Sequence, residues 1–541
     1  MGRAKSKRHW LAGTRRTLIG AGALFCCGAA LAEIQTSSAH FESGCAAELA
    51  GAFDEAVTEL HSFEYPESER LFRAMMTDRP DCAMARWGVA MSLWHQIWVP
   101  PSAADLAAGE ALLAGIDRQT LRPREAAYVE ALSAFYADHA SVPHAQRAER
   151  YRQHMKRVYL DHLDDPEAAL LYALALLATA DPTDKDYRNQ LEAAAVLNWA
   201  RERSPHHPGV LHYLIHSYDY PGLAHLALSA AMTYAEVAPD SAHAQHMPSH
   251  IFTRLGLWQL AIHSNQDSTA SAAAYTERAH LPGHYDEGLH SIDYLMYALL
   301  QVADDDGAAR LLDRLNGITR AEPENFKAAY TYAAAPARYA LERRQWREAG
   351  RLEPRPADFP WADFPWAVSI NLFARGLGAA RSGQIDAAKA ARERIATIAA
   401  RLPGTTLPYW REQVTVQATM LGAWIALAEG DASSALERAD QAAALEDSVD
   451  KHPVTPGEVL PARELLGDMA LQLDRPELAL DHYRRVLRAS PKRTNALLGA
   501  ARAELAIGDR TAAAGYYRQV VEQTGSFDAR DGVREARSFL E

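Results

Sequence analysis

Twelve of the 22 histidines fall between His206 and His290, where uniform scattering would place about 3.5. From Ser291 to Lys451 there is no histidine at all. Spacing within the rich segment is helical. His212 and His216 are i,i+4, one above the other on a helix face. His243, His246 and His250 follow at i, i+3, i+7 and span only about 60° of a helix circumference. Imidazoles gathered on one face suit Zn²⁺, Cu²⁺ or Fe²⁺, and the lack of nearby cysteine argues against a thiolate site.

Such side chains converge only if the helices carrying them are stacked in register. Alanine is abundant, apolar residues recur at helical spacing, and Pro and Gly fall between the periodic segments, so the chain reads as all-α. Near the C-terminus Ala479, Tyr483 and Leu487 recur as Ala513, Tyr517 and Val521, with Leu466-Gly467 before and Pro491 after. The step is that of the tetratricopeptide repeat, and so is the pattern: a small residue at a helix crossing, an aromatic wedge and a closing proline. It predicts a tetratricopeptide-like superhelix of helical hairpins, an α-solenoid whose concave groove is the binding surface.

The same step carries His212 to His246 and His216 to His250, in phase with Ala227 and Ala261. The two pairs should face each other across ~8–10 Å, on the first helices of adjacent units. If Ala308 is the crossing alanine of a third unit, its offset from Ala261 maps His243 to His290, His246 to Asp293 and His250 to Tyr297. The expected ligand set is therefore His212, His216, His243, His246, His250, His290 and Asp293. Asp219, Arg254, Tyr294, Tyr297 and Gln301 are expected around it, with His284 on a connection that could fold over the groove. A hydrogen-bonded groove for an acidic or aromatic ligand is the alternative for these residues, and independent structural histidines the third reading. His206, His207, His225 and His263 lie off the shared face and read as structural. Trp87, Trp94 and Trp98 read as packing. Lys451 to Gly457 reads as a rigid turn, with a loop reaching the groove as its alternative.

The 541 residues are 48% apolar and 23% charged, which excludes disordered, collagen-like and disulfide-scaffold classes. A formal charge of −13 gives no global attraction for nucleic acid or an anionic membrane surface. Six basic residues precede an apolar run from Leu18 to Ala29 and a small-x-small string at Ala30-Leu31-Ala32. Residues 1–32 thus read as a cleaved export signal to the periplasm or medium, by the general or the twin-arginine route (Arg15-Arg16). No later stretch is long enough to span a membrane. Cys26 and Cys27 leave with the signal, so Cys45 and Cys82 are expected to form one disulfide. A proline-rich stretch, 351–366, divides an array over 33–350, with the His-rich groove, from a second over 367–541.

The strings HYLIHSYD (212–219), HMPSHIFTRLG (246–256), KHPVTPG (451–457) and PARELLGDM (461–469), with Cys45 and Cys82-Ala83-Met84-Ala85, resemble a family of exported bacterial tetratricopeptide-repeat proteins. That resemblance implies fold and location and names no reaction. No HExxH, GxSxG or P-loop string occurs. The expectation is an exported repeat protein holding a transition metal, Zn, Cu or Fe, with metalloenzyme chemistry left open. Its rival is a scaffold holding a peptide, a protein or a small molecule in the groove, without metal.

Overall fold

Proline opens several helices and Ser, Asp or Asn caps others, so the chain breaks into short helices joined by tight turns. A computed structural model describes residues 39–403 and 408–541. The expected export segment, 1–32, lies outside them. Among the described residues the architecture is all-α apart from one parallel pairing of His284–Tyr285 with Ala321–Glu322. It is a tetratricopeptide-like superhelix. Ala50–His61 packs on Tyr65–Asp78, Pro166–Ala178 on Arg188–Arg201, and Pro208–Tyr218 on Leu228–Val237. First helices of successive pairs also touch: Pro166–Ala178 meets Pro208–Tyr218, which meets Pro248–Arg254. None of the described helices is long and apolar enough to cross a membrane.

Small residues set the close approaches. Ala227, Ala261 and Ala308 are all buried. A Cβ on Gly499 would lie 2.2 Å from the Tyr483 ring and one on Gly467 2.9 Å from it, so the aromatic wedge fits only between glycines. The proline-rich stretch is packed rather than loose: Trp366 stacks on Trp410 with centroids 3.9 Å apart, and Phe359 meets Tyr332 edge-on at 5.4 Å. Phe326–Glu342 and Pro365–Arg381 pack directly across it.

The superhelix turns back on itself. Trp258 donates its indole N–H to Lys492 O at 3.2 Å. Arg493 is fully buried against Glu342 at 2.6 Å, and Arg530 meets Asp305 at 2.9 Å. The inner face at the His-rich segment is consequently filled by chain and not an open groove. Desolvating charged pairs between helices distant in sequence is tolerable only because each pair is mutually neutralised.

Cys45 and Cys82 are disulfide-bonded, with Cα atoms 5.0 Å apart. The bond ties the segment before Ala50–His61 to the start of Ala83–Ser92. By restricting the unfolded chain it contributes ~2–4 kcal/mol. Cys82→Ser should lower the midpoint of denaturant unfolding accordingly; an unaltered midpoint would sink that figure.

Candidate metal centre

Four helices carry the histidines. His207 caps Pro208–Tyr218 by accepting the Gly209 N–H on its Nδ1 at 3.1 Å, and every residue of that helix is buried. Ser241 caps Ala242–His246, and Pro248, which lacks an N–H, restarts the chain as Pro248–Arg254. His290 sits in Asp286–Gln301, which is buried along its whole length. His212, His243, His246, His250 and His290 are at most 2% exposed and His216 is 7% exposed, so no ring is bathed in water.

The six rings form two adjacent trios. In each of His212/His216/His243 and His246/His250/His290, one ring nitrogen per residue lies within 4.8 Å of the others. In the first, His212 Nε2 is 3.0 Å from His216 Nε2 and 3.2 Å from His243 Nε2. In the second, His246 Nε2 is 3.0 Å from His250 Nε2, and the His246 and His290 rings lie 4.2 Å apart. Ring centroids of His216 and His250 are only 6.0 Å apart, which makes the trios neighbours. Phe63 packs edge-on against His212 at 4.4 Å, and Trp98 meets His243 at 5.1 Å, walling the first trio with aromatic surface.

For His212, His243, His246 and His250, hydrogen-bond partners on the far side of the ring fix where its proton is. His212 Nδ1 is 2.6 Å from the carbonyl oxygen of His61, which can only accept, so the proton is on Nδ1 and Nε2 carries a lone pair. His243 Nδ1 donates to Glu287 at 3.1 Å, and Glu287 is held by Lys327. Asn265 uses its amide N–H on Ala261 O, so its oxygen faces His246 Nδ1 at 2.7 Å. His250 Nδ1 donates to Asp219 at 2.9 Å. Two pairs of Nε2 lone pairs therefore point at each other, His212 with His243 and His246 with His250. Neutral rings so placed repel, and a shared cation reverses the sign.

A proton is a poor candidate for that cation. Burial holds His212, His216, His243 and His290 well below the usual imidazole range, and neighbouring imidazoles push the same way. Burial likewise pushes His246 down to about 3, and His250 down to about 4 despite Asp219. The arrangement of backed, inward-facing Nε2 atoms is the one that metal-binding histidines adopt.

A third set, His61/Glu167/His207, meets the same distance criterion but is chemically different. His61 Nε2 and His207 Nε2 both donate to Glu167, at 2.7 and 2.9 Å. Their other nitrogens accept, from the Tyr213 hydroxyl at 2.8 Å and the Gly209 N–H. Each ring nitrogen lone pair there has a proton, so this is a closed hydrogen-bond network. It positions the site indirectly, because the His61 carbonyl orients His212. A Cβ on Gly209 would lie 2.7 Å from His61 Nδ1, which is why glycine stands there.

Other expected site residues divide. Asp219 backs His250, and Arg254 braces Asp219 at 2.9 Å. Burial would raise the Asp219 carboxyl, but Lys451 and Arg254 hold it well below the usual range. Tyr294 lies 3.3 Å from His250 Nδ1, with its ring edge-on to His246 at 4.6 Å. Asp293 belongs to neither trio: its Oδ1 takes the Nε–H of the buried Arg338 at 3.1 Å, and its Oδ2 has no hydrogen-bond partner among the described residues. Tyr297 is turned to Arg493, and Gln301 to Thr494. His284 is drawn away by pairing with the 320–322 segment, so its connection is no lid: its backbone N–H bonds Arg320 O at 2.9 Å.

The 451–457 segment covers the site instead. Lys451 Nζ is 2.8 Å from Asp219, and the Tyr294 hydroxyl is 3.1 Å from Pro453 O and 3.0 Å from Thr455 O. Arg338 donates to Gly457 O and Glu458 O at 2.6 and 2.7 Å. Burial pushes Lys451 down to about 8, against the pull of Asp219. Sequence reasoning favoured a simple turn here, since nothing local reveals a partner as remote along the chain as Asp219.

No protein-family model matches the chain, and no curated protein matches it. Among solved structures it is similar to human IFIT1 solved as a dimer with m7Gppp-AAAA, at 12% identity and a TM-score of 0.35, covering 87% of this chain and 95% of that one. It is also similar to the APC/C hetero-tetramer Cut9–Hcn1, at 13% identity and a TM-score of 0.30, covering 91% and 89%. Yeast Tom70 matches at 11% identity and a TM-score of 0.29, covering 90% and 95%.

Proposed function

We propose that this chain is an exported metal-binding repeat protein, with one transition-metal ion, Zn, Cu or Fe, held by each histidine trio. The export signal at 1–32 and the two arrays, 33–350 and 367–541, belong to the same reading. The observation that carries it is the pair of Nε2–Nε2 approaches at 3.0 and 3.2 Å between rings whose protons are committed to Nδ1. His212, His216 and His243 would hold one ion, and His246, His250 and His290 the other. A metal with three imidazole ligands keeps a position for water or substrate, where it supplies Lewis acidity. Glu287, Asn265, Asp219 and the His61 carbonyl keep the rings in the ligating tautomer.

The test is elemental analysis of the full chain purified without a histidine tag. It should carry one ion per trio, and His216→Ala and His250→Ala should each remove one of them. Protein with no stoichiometric metal would instead be the scaffold that binds a peptide or protein partner. Full metal content in both variants would also overturn the assignment.

A further inference from the structure

The two trios differ in what lies beside them. A cavity of about 300 Å³ abuts the first, and His216 is the trio member in its wall. Resting on the metal reading above, we infer that this cavity is the chamber of an exchangeable ligand: a small aromatic acid bearing a hydroxyl, whose carboxylate reaches the ion of the His212 trio. The second trio is shut in by Tyr294 and the 451–457 segment.

Three features of the wall carry the chemical class. Trp98, Tyr409 and His452 present ring surface, and Leu177 and Pro408 add apolar surface, which suits a flat ring. His216 and Lys451 both line the chamber, with Asp450 also in the wall. Lys451 has three N–H donors, and among the described residues its side chain hydrogen-bonds Asp219 alone. An anionic oxygen is the group that Lys451 favours. Farther along the wall, Gln96 is 6% exposed, and among the described residues neither its Oε1 nor His144 Nδ1 has a hydrogen-bond partner. His144 Nδ1 accepts or donates according to the ring's tautomer, but Gln96 Oε1 can only accept and lacks a donor. A ring hydroxyl supplies one. A cavity of this size takes a small molecule of roughly ten non-hydrogen atoms.

The probe is 4-hydroxybenzoate, titrated into Co²⁺-loaded full-length protein while the visible d–d bands are followed. It should shift the bands and half-saturate at a concentration at least tenfold below that of acetate and several-fold below that of benzoate. Leu177→Trp, or Ala178→Phe if the first does not fold, fills the chamber. Each should keep both cobalt ions and the ligand-free spectrum while raising the half-saturation at least tenfold. Gln96→Leu should erase the preference for 4-hydroxybenzoate over benzoate. Cobalt protein whose bands ignore 4-hydroxybenzoate, or respond to it no better than to acetate, overturns the inference, as does unimpaired binding in the filled variants. A chain that takes up no cobalt overturns the metal reading itself, and this inference with it.

Discussion

On the proposed metal reading, stripping the ions with a chelator should lower the melting temperature by several degrees, and restoring one ion per trio should recover it. The effect has two parts. An ion present at 1,000 times its dissociation constant stabilises the folded state by ~4 kcal/mol per site, because the unfolded chain has no such site. Removing it also uncovers the lone-pair repulsion between His212 and His243 and between His246 and His250. Acid should release the ions too, since ligating imidazoles must be neutral. The apoprotein should remain acid-sensitive for a separate reason. Burial pushes His95 down to about 4 and His452 to about 3, whereas in the unfolded chain each takes a proton near pH 6.5. Below that point the unfolded state binds more protons, so stability falls with pH by ~1.4 kcal/mol per unit for each, until the folded rings titrate. Identical melting curves with and without chelator, for protein whose metal content demonstrably changes, would defeat this account.

Arg338→Met should be among the most damaging single substitutions. The guanidinium is fully buried and has five partners: Asp293, the Tyr330 hydroxyl, Thr455 Oγ1, and the carbonyls of Gly457 and Glu458. Methionine fills much of the space and supplies no donor. It leaves the Asp293 carboxylate buried and unpaired, which costs about 3–5 kcal/mol. The Glu458 carbonyl loses its donor as well, at ~1–3 kcal/mol if it stays dry, whereas Gly457 O keeps the Thr455 hydroxyl. Adding Asp293→Asn to Arg338→Met should recover a good part of the loss, and the double-mutant cycle measures the coupling. The 451–457 segment should become cleavable by protease at the same time. A loss below ~1 kcal/mol, with the segment still protected, would show that Arg338 is not its anchor.

The repeat phase made the central histidines legible. Since helices one unit apart are superposed, equal offsets from Ala227 and Ala261 place His212 beside His246 and His216 beside His250, and the rings do gather. What the period does not encode is which rings share an ion. That depends on how the helices pack in three dimensions, which sets His243 against His212 and His246 against His250. Asp293 was credible by offset alone, and its capture by Arg338 depends on a later helix, Phe326–Glu342. The His61/Glu167/His207 network was invisible as a cluster because its three members come from widely separated stretches of chain. A usable signal existed in Glu167, the lone acid at the head of the apolar run PEAALLYALALLA, which must find a partner once that helix is buried. The 451–457 segment reads first as a turn, and its alternative, a loop reaching the site, is the arrangement the structure has, against Asp219 and Tyr294.

Most solenoids are springs: each repeat touches only its neighbours, so the coil stretches and unwinds at little expense. Clasping Arg493 between Glu342 and Glu464, and Arg530 on Asp305, turns this spring into a hoop. A hoop cannot breathe by uncoiling. On the metal reading, ions held beside His216 cannot escape by uncoiling of the repeats, and exchange with free metal should be slow even where affinity is modest.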